Sequence, residues 1–271
     1  MTIERGVVNV NGARLAYECP GDGPAVAFIH GFTLDRRMWD DQFALFSERH
    51  RVLRHDLRGF GESSLPITSE ANTHGADLAA LLDRLGIEHV ALVALSMGGW
   101  IAIEFAQTYP ERISALVLVD STVRGFEYGP VQAATLERLY QLGREGRLAE
   151  AKADWLQAPL FAYSQGLPAV KARLAEMVAD YSGWHLQHDD PHPMLEPPSI
   201  PRLGEIAAPA LVMVGEHDVD DFHVIADLLA ERIPNARKIV LPHAGHMTNM
   251  DAPEAVNRAA LAFLADAVPP A

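Results

Sequence analysis

The sequence has little cysteine: Cys19 is the only one among 271 residues, so no disulfide can form within the chain. This is compatible with a reducing compartment. The first residues contain no basic segment followed by an apolar one, so we expect no signal peptide. No apolar run approaches the ~20 residues that a membrane-spanning helix needs. These absences predict a globular, cytoplasmic protein that does not act at a membrane.

Basic residues are also scarce. The chain has 22 Lys and Arg against 36 Asp and Glu, which gives a formal net charge of −14. Nucleic acids and anionic membrane surfaces are bound by clustered Lys and Arg side chains, so we expect neither as a partner. No glycine-rich phosphate-binding loop follows a predicted strand, so we expect no nucleotide cofactor. Nothing in the sequence indicates an oligomeric state.

Short apolar segments that predict β-strands recur along the chain. Two of them flank Asn11-Gly12, a residue pair typical of tight hairpin turns. Helical patterns then alternate with the later strands, which predicts an α/β fold with a mostly parallel central sheet and helices on both faces. The predicted strands are residues 7–10, 15–18, 25–30, 51–55, 89–94, 115–120, 210–214 and 238–241. The predicted helices are residues 37–47, 72–85, 98–109, 222–233 and 253–265.

One stretch, residues 124–205, interrupts this alternation. It contains helical patterns at 131–144, 148–156 and 169–181, no convincing strand, and a proline-rich end that we expect to be a stiff extended connector. The sequence therefore predicts one α/β core, residues 1–123 and 206–271, with 124–205 inserted as a helical cap.

The strongest chemical signal is Ser96, which falls between a predicted strand and a predicted helix. A serine on such a sharp turn presents its hydroxyl above the edge of the sheet, and the turn requires small neighbours. Gly98 and Gly99 follow the serine, whereas Ala94 stands where the common motif has glycine. Because alanine is the smallest available departure, we interpret this segment as a nucleophile turn.

A serine nucleophile needs a base, and the base needs an orienting acid. Both should follow later strands, in the order serine, acid, histidine. Asp218 follows the strand at 210–214, and His246 follows the strand at 238–241. Asp120 also ends a predicted strand and is the second candidate for the acid.

Backbone N–H groups can stabilise the negative charge that develops on a substrate carbonyl oxygen. We expect these donors at Met97, directly after the serine, and at Phe32, in the loop after an early strand. Gly31 is expected to permit an unusual backbone path there, and His30 is interpreted as a structural hydrogen-bonding residue.

Together these segments resemble the α/β-hydrolase superfamily over nearly the whole chain. The resemblance implies a Ser96–His246–Asp218 triad, with Phe32 and Met97 as the oxyanion donors. Within the superfamily the chain resembles small bacterial esterases, enol-lactonases and carbon–carbon bond hydrolases; members related to cofactor-free haloperoxidases also keep the triad. Epoxide hydrolases and haloalkane dehalogenases have aspartate at the nucleophile position, so Ser96 argues against both. The segments in question are residues 30–32, 56–63, 93–99, 215–218 and 245–246.

The substrate is less well defined by the sequence. Among the aromatic residues of the insertion, we expect Phe126, Tyr128, Trp155 and Trp184 to contact substrate. The acidic net charge favours a neutral ester or lactone, unless an arginine reverses the field at the pocket. Arginines that could do so are Arg36, Arg37, Arg124 and Arg144. The segment 188–192 carries several groups capable of binding metal, but we expect it to be solvated and to hold none.

These observations predict a serine hydrolase that cleaves a small or medium carboxylic ester or lactone through an acyl-enzyme on Ser96, without a cofactor. One alternative is a carbon–carbon bond hydrolase that uses the same triad. Another is a ligand sensor or partner-binding protein that retains the fold and turns over slowly.

Overall fold

The computed structural model describes residues 5–67, 73–193 and 195–267. Its described part contains an eight-stranded sheet in the order β1-β2-β4-β3-β5-β6-β7-β8. The first pairings, β1 with β2 and β2 with β4, are antiparallel, and all the others are parallel. The strands are β1 Arg5–Val10, β2 Ala13–Glu18, β3 Ala25–Ile29, β4 Arg51–His55, β5 Val90–Leu95, β6 Ile113–Val119, β7 Ala210–Gly215 and β8 Ala236–Leu241.

Burial explains why the central strands consist almost entirely of apolar residues. Every residue of β5 and β7 is buried. A strand can bury all its side chains only if both faces of the sheet are covered. At the antiparallel end, the turn between β1 and β2 has positive φ at Asn11 (46°) and Gly12 (74°), the conformation that this pair favours. The predicted mostly parallel sheet is confirmed.

The helices cover the sheet in groups: α1 packs with α11, and α2 packs with α3. The predicted helix 37–47 is a short 3-10 helix, Arg36–Trp39, followed by α1, because Asp35 caps the tighter turn with its side chain. Residue 72, the predicted start of α2, lies outside the described residues. The core helices are α1 Asp40–Phe46, α2 His74–Arg84, α3 Met97–Thr108, α9 Asp220–Arg232, α10 Thr248–Asp251 and α11 Pro253–Ala267.

The described residues between β6 and β7 form only helices and connecting segments. The sequence pattern missed α6 and α8 because a four-residue helix is too short to show a full apolar period. The proline-rich end is not wholly extended either, since Ile200–Glu205 forms a 3-10 helix. The α-helices are α4 Pro130–Arg144, α5 Leu148–Leu156, α6 Ala162–Gln165, α7 Pro168–Asp180 and α8 Trp184–Gln187.

The parallel strands determine where the functional residues meet. The carboxyl ends of β3, β5, β6, β7 and β8 lie along one edge of the sheet. The segments that follow these ends therefore converge at this edge. Among the described residues, the helices are too short or too polar to span a bilayer.

Candidate active site

Ser96 is the single residue between β5 and α3, and its backbone is strained. Its φ of 54° and ψ of −114° lie in a region that non-glycine residues rarely occupy. Hydrogen bonds hold this conformation: the Ser96 N–H donates to the Val119 carbonyl, and the Ser96 carbonyl accepts from the Thr122 N–H. Such strain persists only where the surrounding structure enforces it, and it is frequent at functional sites.

The glycines after Ser96 are required by close approach. A Cβ at Gly98 would lie 2.4 Å from the Ile29 carbonyl oxygen, and one at Gly99 would lie 1.9 Å from the Ser121 hydroxyl. Neither position has room for a side chain. Ala94, the departure from the common motif, is completely buried, so its methyl group is accommodated in the core.

His246 joins Ser96 and Asp218 in one chain of hydrogen bonds. Its Nε2 lies 3.0 Å from the Ser96 Oγ, and its Nδ1 lies 2.9 Å from Asp218 Oδ2. The other Asp218 oxygen accepts from the Val219 N–H at 2.7 Å. The Phe222 ring packs against His246, with ring centroids 4.2 Å apart. This arrangement can move the serine proton onto imidazole while a buried carboxylate faces the opposite ring nitrogen.

Asp120, the second candidate for the acid, has other partners. Its Oδ1 accepts from the Gly215 N–H at 2.9 Å, and its Oδ2 accepts from the Thr248 N–H at 3.2 Å. Burial, together with the nearby Asp218 carboxylate, raises the pKa of Asp120. Asp120 therefore links the loops that carry Asp218 and His246 and forms no hydrogen bond with the imidazole.

Phe32 and Met97, the predicted oxyanion donors, both lie at the cavity that contains Ser96. The Phe32 N–H has no hydrogen-bond acceptor within the described part of the chain, and Met97, as the first residue of α3, has no acceptor within its helix. The unusual backbone path of this loop is at Thr33, with φ 63°, and not at Gly31 as expected.

His30 has a fixed structural role. Its Nε2 accepts from the Leu57 N–H at 3.0 Å, so the proton resides on Nδ1, which donates to the Gly31 carbonyl at 2.9 Å. Burial lowers its pKa, which keeps the ring neutral. Both ring nitrogens are occupied, which leaves none for catalysis.

A cavity of about 460 Å³ opens onto Ser96. Three of the four predicted contact residues, Phe126, Tyr128 and Trp155, line it. Trp155 also donates from its indole N–H to the Thr33 hydroxyl at 2.8 Å, which fixes helix α5 against the Phe32 loop. The aromatic side chains in its wall are Phe32, Phe60, Trp100, Phe126, Tyr128, Tyr140, Trp155, Phe161 and Phe222.

Trp184, the fourth predicted contact residue, does not line this cavity. Its ring stacks on His188 at a centroid distance of 4.8 Å and meets His185 edge-on at 5.0 Å. The side chain that faces the cavity from α8 is instead His185. Consecutive residues of a helix point about 100° apart, so one of the two faces the cavity and the other packs beside it.

The four candidate arginines fall into pairs. Arg36 forms ion pairs with Asp56 and Glu62, and Arg37 with Asp35, and neither arginine lines the cavity. Arg124 and Arg144 do line it. Arg144 is largely exposed, whereas only 17% of the Arg124 side chain is accessible.

The segment 188–192 differs from the solvated loop that we expected. His192 is buried, and its Nε2 lies 3.2 Å from Glu104 Oε2. His188 and Asp189 are exposed and line the cavity. Within residues 5–67, 73–193 and 195–267, no group of three or more His, Cys, Asp or Glu side chains is placed to hold a metal ion.

Sequence reasoning missed His74, Trp100 and His185, which all line the cavity. They come from α2, α3 and the insertion, and no local motif marks them. Their common position arises only from tertiary packing, although Trp100 follows Ser96 by one helical turn and could have been placed near it.

Comparison with known proteins places the chain in a family. Residues 24–253 match the alpha/beta hydrolase fold family. The chain is 32% identical to the 2-hydroxy-6-oxononadienedioate/2-hydroxy-6-oxononatrienedioate hydrolase of Burkholderia vietnamiensis, covering 93% of this chain and 91% of that protein. It is 30% identical to 3-oxoadipate enol-lactonase 2 of Acinetobacter baylyi, covering 90% and 89%. The malate-bound structure of a thermophilic esterase from Thermogutta terrifontis superposes with a TM-score of 0.82, at 28% identity over 98% of this chain and 99% of that one.

Proposed function

Because the chain belongs to the alpha/beta hydrolase family, we propose that it is a serine hydrolase that cleaves a carboxylic ester or lactone. The observation that carries this proposal is the hydrogen-bonded series Ser96–His246–Asp218, of which Ser96 and His246 line the cavity. Similarity to an enol-lactonase and to a structurally characterised esterase supports the same class of reaction.

The first half of the reaction forms an acyl-enzyme. The Ser96 Oγ attacks the substrate carbonyl carbon while His246 Nε2 accepts the hydroxyl proton. Asp218 accepts from the Nδ1–H, which leaves Nε2 free as the base and stabilises the imidazolium that forms. The tetrahedral intermediate then collapses, and His246 returns the proton to the leaving alcohol oxygen. In a lactone that oxygen stays attached to the acyl group.

The second half uses the same groups with water. His246 takes a proton from a water molecule, whose oxygen attacks the acyl carbonyl. The second tetrahedral intermediate then collapses: the bond between the acyl carbon and Ser96 Oγ breaks, His246 returns the proton to Oγ, and the carboxylic acid is released. In both halves the negative charge on the carbonyl oxygen is stabilised by the Phe32 and Met97 N–H groups. Removing one such donor typically costs ~10²–10³ in turnover. We propose that the helical insertion, residues 124–205, acts as a cap that shapes the substrate site.

The experiment is a p-nitrophenyl ester assay on wild type, Ser96→Ala and Ser114→Ala. Ser114 is a half-buried serine of β6 near the opposite edge of the sheet, so it controls for the loss of a hydroxyl. We expect Ser96→Ala to abolish turnover and Ser114→Ala to retain it. Unchanged turnover in Ser96→Ala would overturn the proposal.

A second candidate is a carbon–carbon bond hydrolase with the same three residues, favoured by the 32% identity to the Burkholderia hydrolase. Loss of absorbance from a coloured vinylogous diketone, with negligible ester cleavage, would select this candidate. Binding of a ligand or partner without turnover of either substrate would instead indicate a sensor.

A further inference from the structure

In one wall of the cavity, polar residues surround Trp100. The Arg124 guanidinium carbon lies 4.2 Å from the centre of the Trp100 ring, and the His74 and His192 rings lie 6.0 Å and 4.9 Å from it. Trp100 is one helical turn beyond Ser96 on α3. We call Trp100, Arg124 and His74, which all line the cavity, the Trp100 cluster.

His74 has an unused polar atom. Only 3% of the residue is exposed, and its Nδ1 is buried without a hydrogen-bond partner in the part of the chain that the structure describes. Burial, reinforced by His192 and Arg124 nearby, holds its pKa well below the usual range, so the ring is neutral. A buried polar atom without a partner is costly. The Nδ1 atom has no accessible surface, so His74 contributes the rest of its ring to the cavity wall and not this nitrogen.

Arg124 has unused donors. Its Nη1 donates to the Pro193 carbonyl at 2.9 Å, and its Nε forms an ion pair with Glu104 Oε1 at 3.8 Å, which is too long for a hydrogen bond. The other Glu104 oxygen faces His192. The guanidinium lies over the face of the Trp100 ring. Among the described residues, the remaining N–H groups of Arg124 have no hydrogen-bond acceptor, so they are available to a ligand.

Acidic groups near the cavity limit the charge that this site can accept. Asp189 and Asp190 also line it, opposite in sign to Arg124 and the exposed Arg144. Glu104 already pairs with Arg124, so these carboxylates disfavour a second negative charge on a ligand whose first carboxylate lies at the half-buried Arg124. A guanidinium can bind a carboxylate through two parallel hydrogen bonds.

We propose that the Trp100 cluster binds a single carboxylate carried by the substrate, so that the preferred substrates are monoanionic esters or lactones and not neutral ones. This inference rests on the proposed function for the reaction at Ser96. It replaces the neutral substrate expected from the net charge, because the arginine that could reverse the field lies in the cavity wall. Arg124 binds and orients the carboxylate, and Trp100 and His74 form the wall beside it.

Binding to Ser96→Ala protein tests the site without turnover. The probes are monomethyl adipate, a monoanion, and dimethyl adipate, its neutral counterpart, measured by titration calorimetry at neutral pH. We expect the monoester to bind at least about 10-fold more tightly than the diester. Adding Arg124→Gln should weaken monoester binding about 10- to 100-fold and leave diester binding within about 3-fold.

Further variants distinguish the loss of the carboxylate site from a general effect of removing a positive charge. Arg138→Gln removes an exposed arginine of α4 that pairs with Glu150 and Asp154, and it should change neither affinity. Arg124→Lys keeps the positive charge, so it should retain part of the preference for the monoester that Arg124→Gln loses. Equal affinities for the two probes, no measurable binding of the monoester, or loss of selectivity only in Arg144→Gln would each overturn the proposal. Absence of ester hydrolysis by the wild type would overturn the function and leave this binding result intact.

Discussion

The Ser164 hydroxyl, in helix α6 of the insertion, lies 2.8 Å from Oδ1 and 3.0 Å from Oδ2 of Asp251 in helix α10. The Asp251 Oδ2 also accepts from the Gly245 N–H at 2.9 Å, and Gly245 directly precedes His246. Beside this contact the Tyr163 ring stacks on His217 at 4.8 Å. The insertion is thus connected through one carboxylate to the loop that carries the imidazole.

This connection predicts that Ser164→Ala lowers turnover, although Ser164 is not a cavity residue. Because Ser164 is fully buried, its removal leaves Asp251 short of a donor, at about 1–3 kcal/mol of unfolding free energy. We expect kcat to fall several-fold with little change in KM, since the loss acts on the position of His246. Urea unfolding and steady-state kinetics measure the two effects.

Thr135→Ala is the matched control, because the Thr135 hydroxyl donates to the Val131 carbonyl on an exposed face of α4. It should cost less than about 0.5 kcal/mol and leave kcat unchanged. If Ser164→Ala and Thr135→Ala behaved alike, the connection between the insertion and the His246 loop would have no functional role.

Replacing the two candidate acids should give unequal results. Asp218→Asn loses the carboxylate that accepts from His246 Nδ1, and we expect kcat to fall about 10³–10⁴-fold. Asp120→Asn changes the hydrogen bonds of this side chain to Gly215 and Thr248 and none to His246, so it should lower stability and reduce kcat less than about 10-fold. Kinetics and thermal unfolding of both variants decide the assignment. A larger kcat loss in Asp120→Asn would make Asp120 the acid.

A methyl group at Gly98 should not be tolerated. Its Cβ would lie 2.4 Å from the Ile29 carbonyl oxygen, so α3 must move away from β3. Overpacking of this kind typically costs ~1–3 kcal/mol, and this contact is with backbone, which yields little. Gly75→Ala, near the start of α2, is the control, because its Cβ would meet nothing closer than 3.9 Å. We expect Gly98→Ala to lower the melting temperature clearly and Gly75→Ala to leave it unchanged or raise it.

Buried neutral histidines predict loss of stability in acid. Burial, with a smaller effect from His30, lowers the pKa of His55 to about 3. Between pH 6.5 and this value the unfolded chain binds a proton that the folded protein excludes, so the free energy of unfolding falls as the pH falls. His55→Leu should reduce the drop between pH 7.5 and 4.5 by on the order of 2 kcal/mol. Urea unfolding at both pH values measures the change.

The exposed His89 provides the control for this pH effect, and His89→Leu should keep the wild-type drop. An identical drop in His55→Leu and the wild type would show that His55 does not contribute to acid sensitivity.

The strands of the sheet and the candidate catalytic residues could be predicted from the sequence, because short sequence patterns determine both. Buried parallel strands form continuous apolar runs, and residues that follow such strands meet at one edge. This is why Ser96, Asp218 and His246, far apart in the chain, could be grouped before any geometry was known. The Asn11-Gly12 turn was predictable for a similar reason, since few residue pairs adopt positive φ twice.

The cavity wall could not be read in this way. Trp184 and His185 are adjacent, and only packing of the four-residue helix α8 decides which of them faces the cavity. The positive φ at Thr33 likewise arises from the contacts of its loop and not from its residue type. Arg124 and His74 meet Trp100 from different elements, so their common site exists only in the folded chain.

The most direct test of the account is to trap the acyl-enzyme. Wild-type protein is mixed with a p-nitrophenyl ester, quenched in acid within the first turnovers, digested and analysed by peptide mass spectrometry. We predict a mass increase equal to the acyl group on the peptide that contains Ser96, and no adduct in Ser96→Ala. Hydrolysis that persists in Ser96→Ala, or an acyl group on another residue, would contradict the central claim.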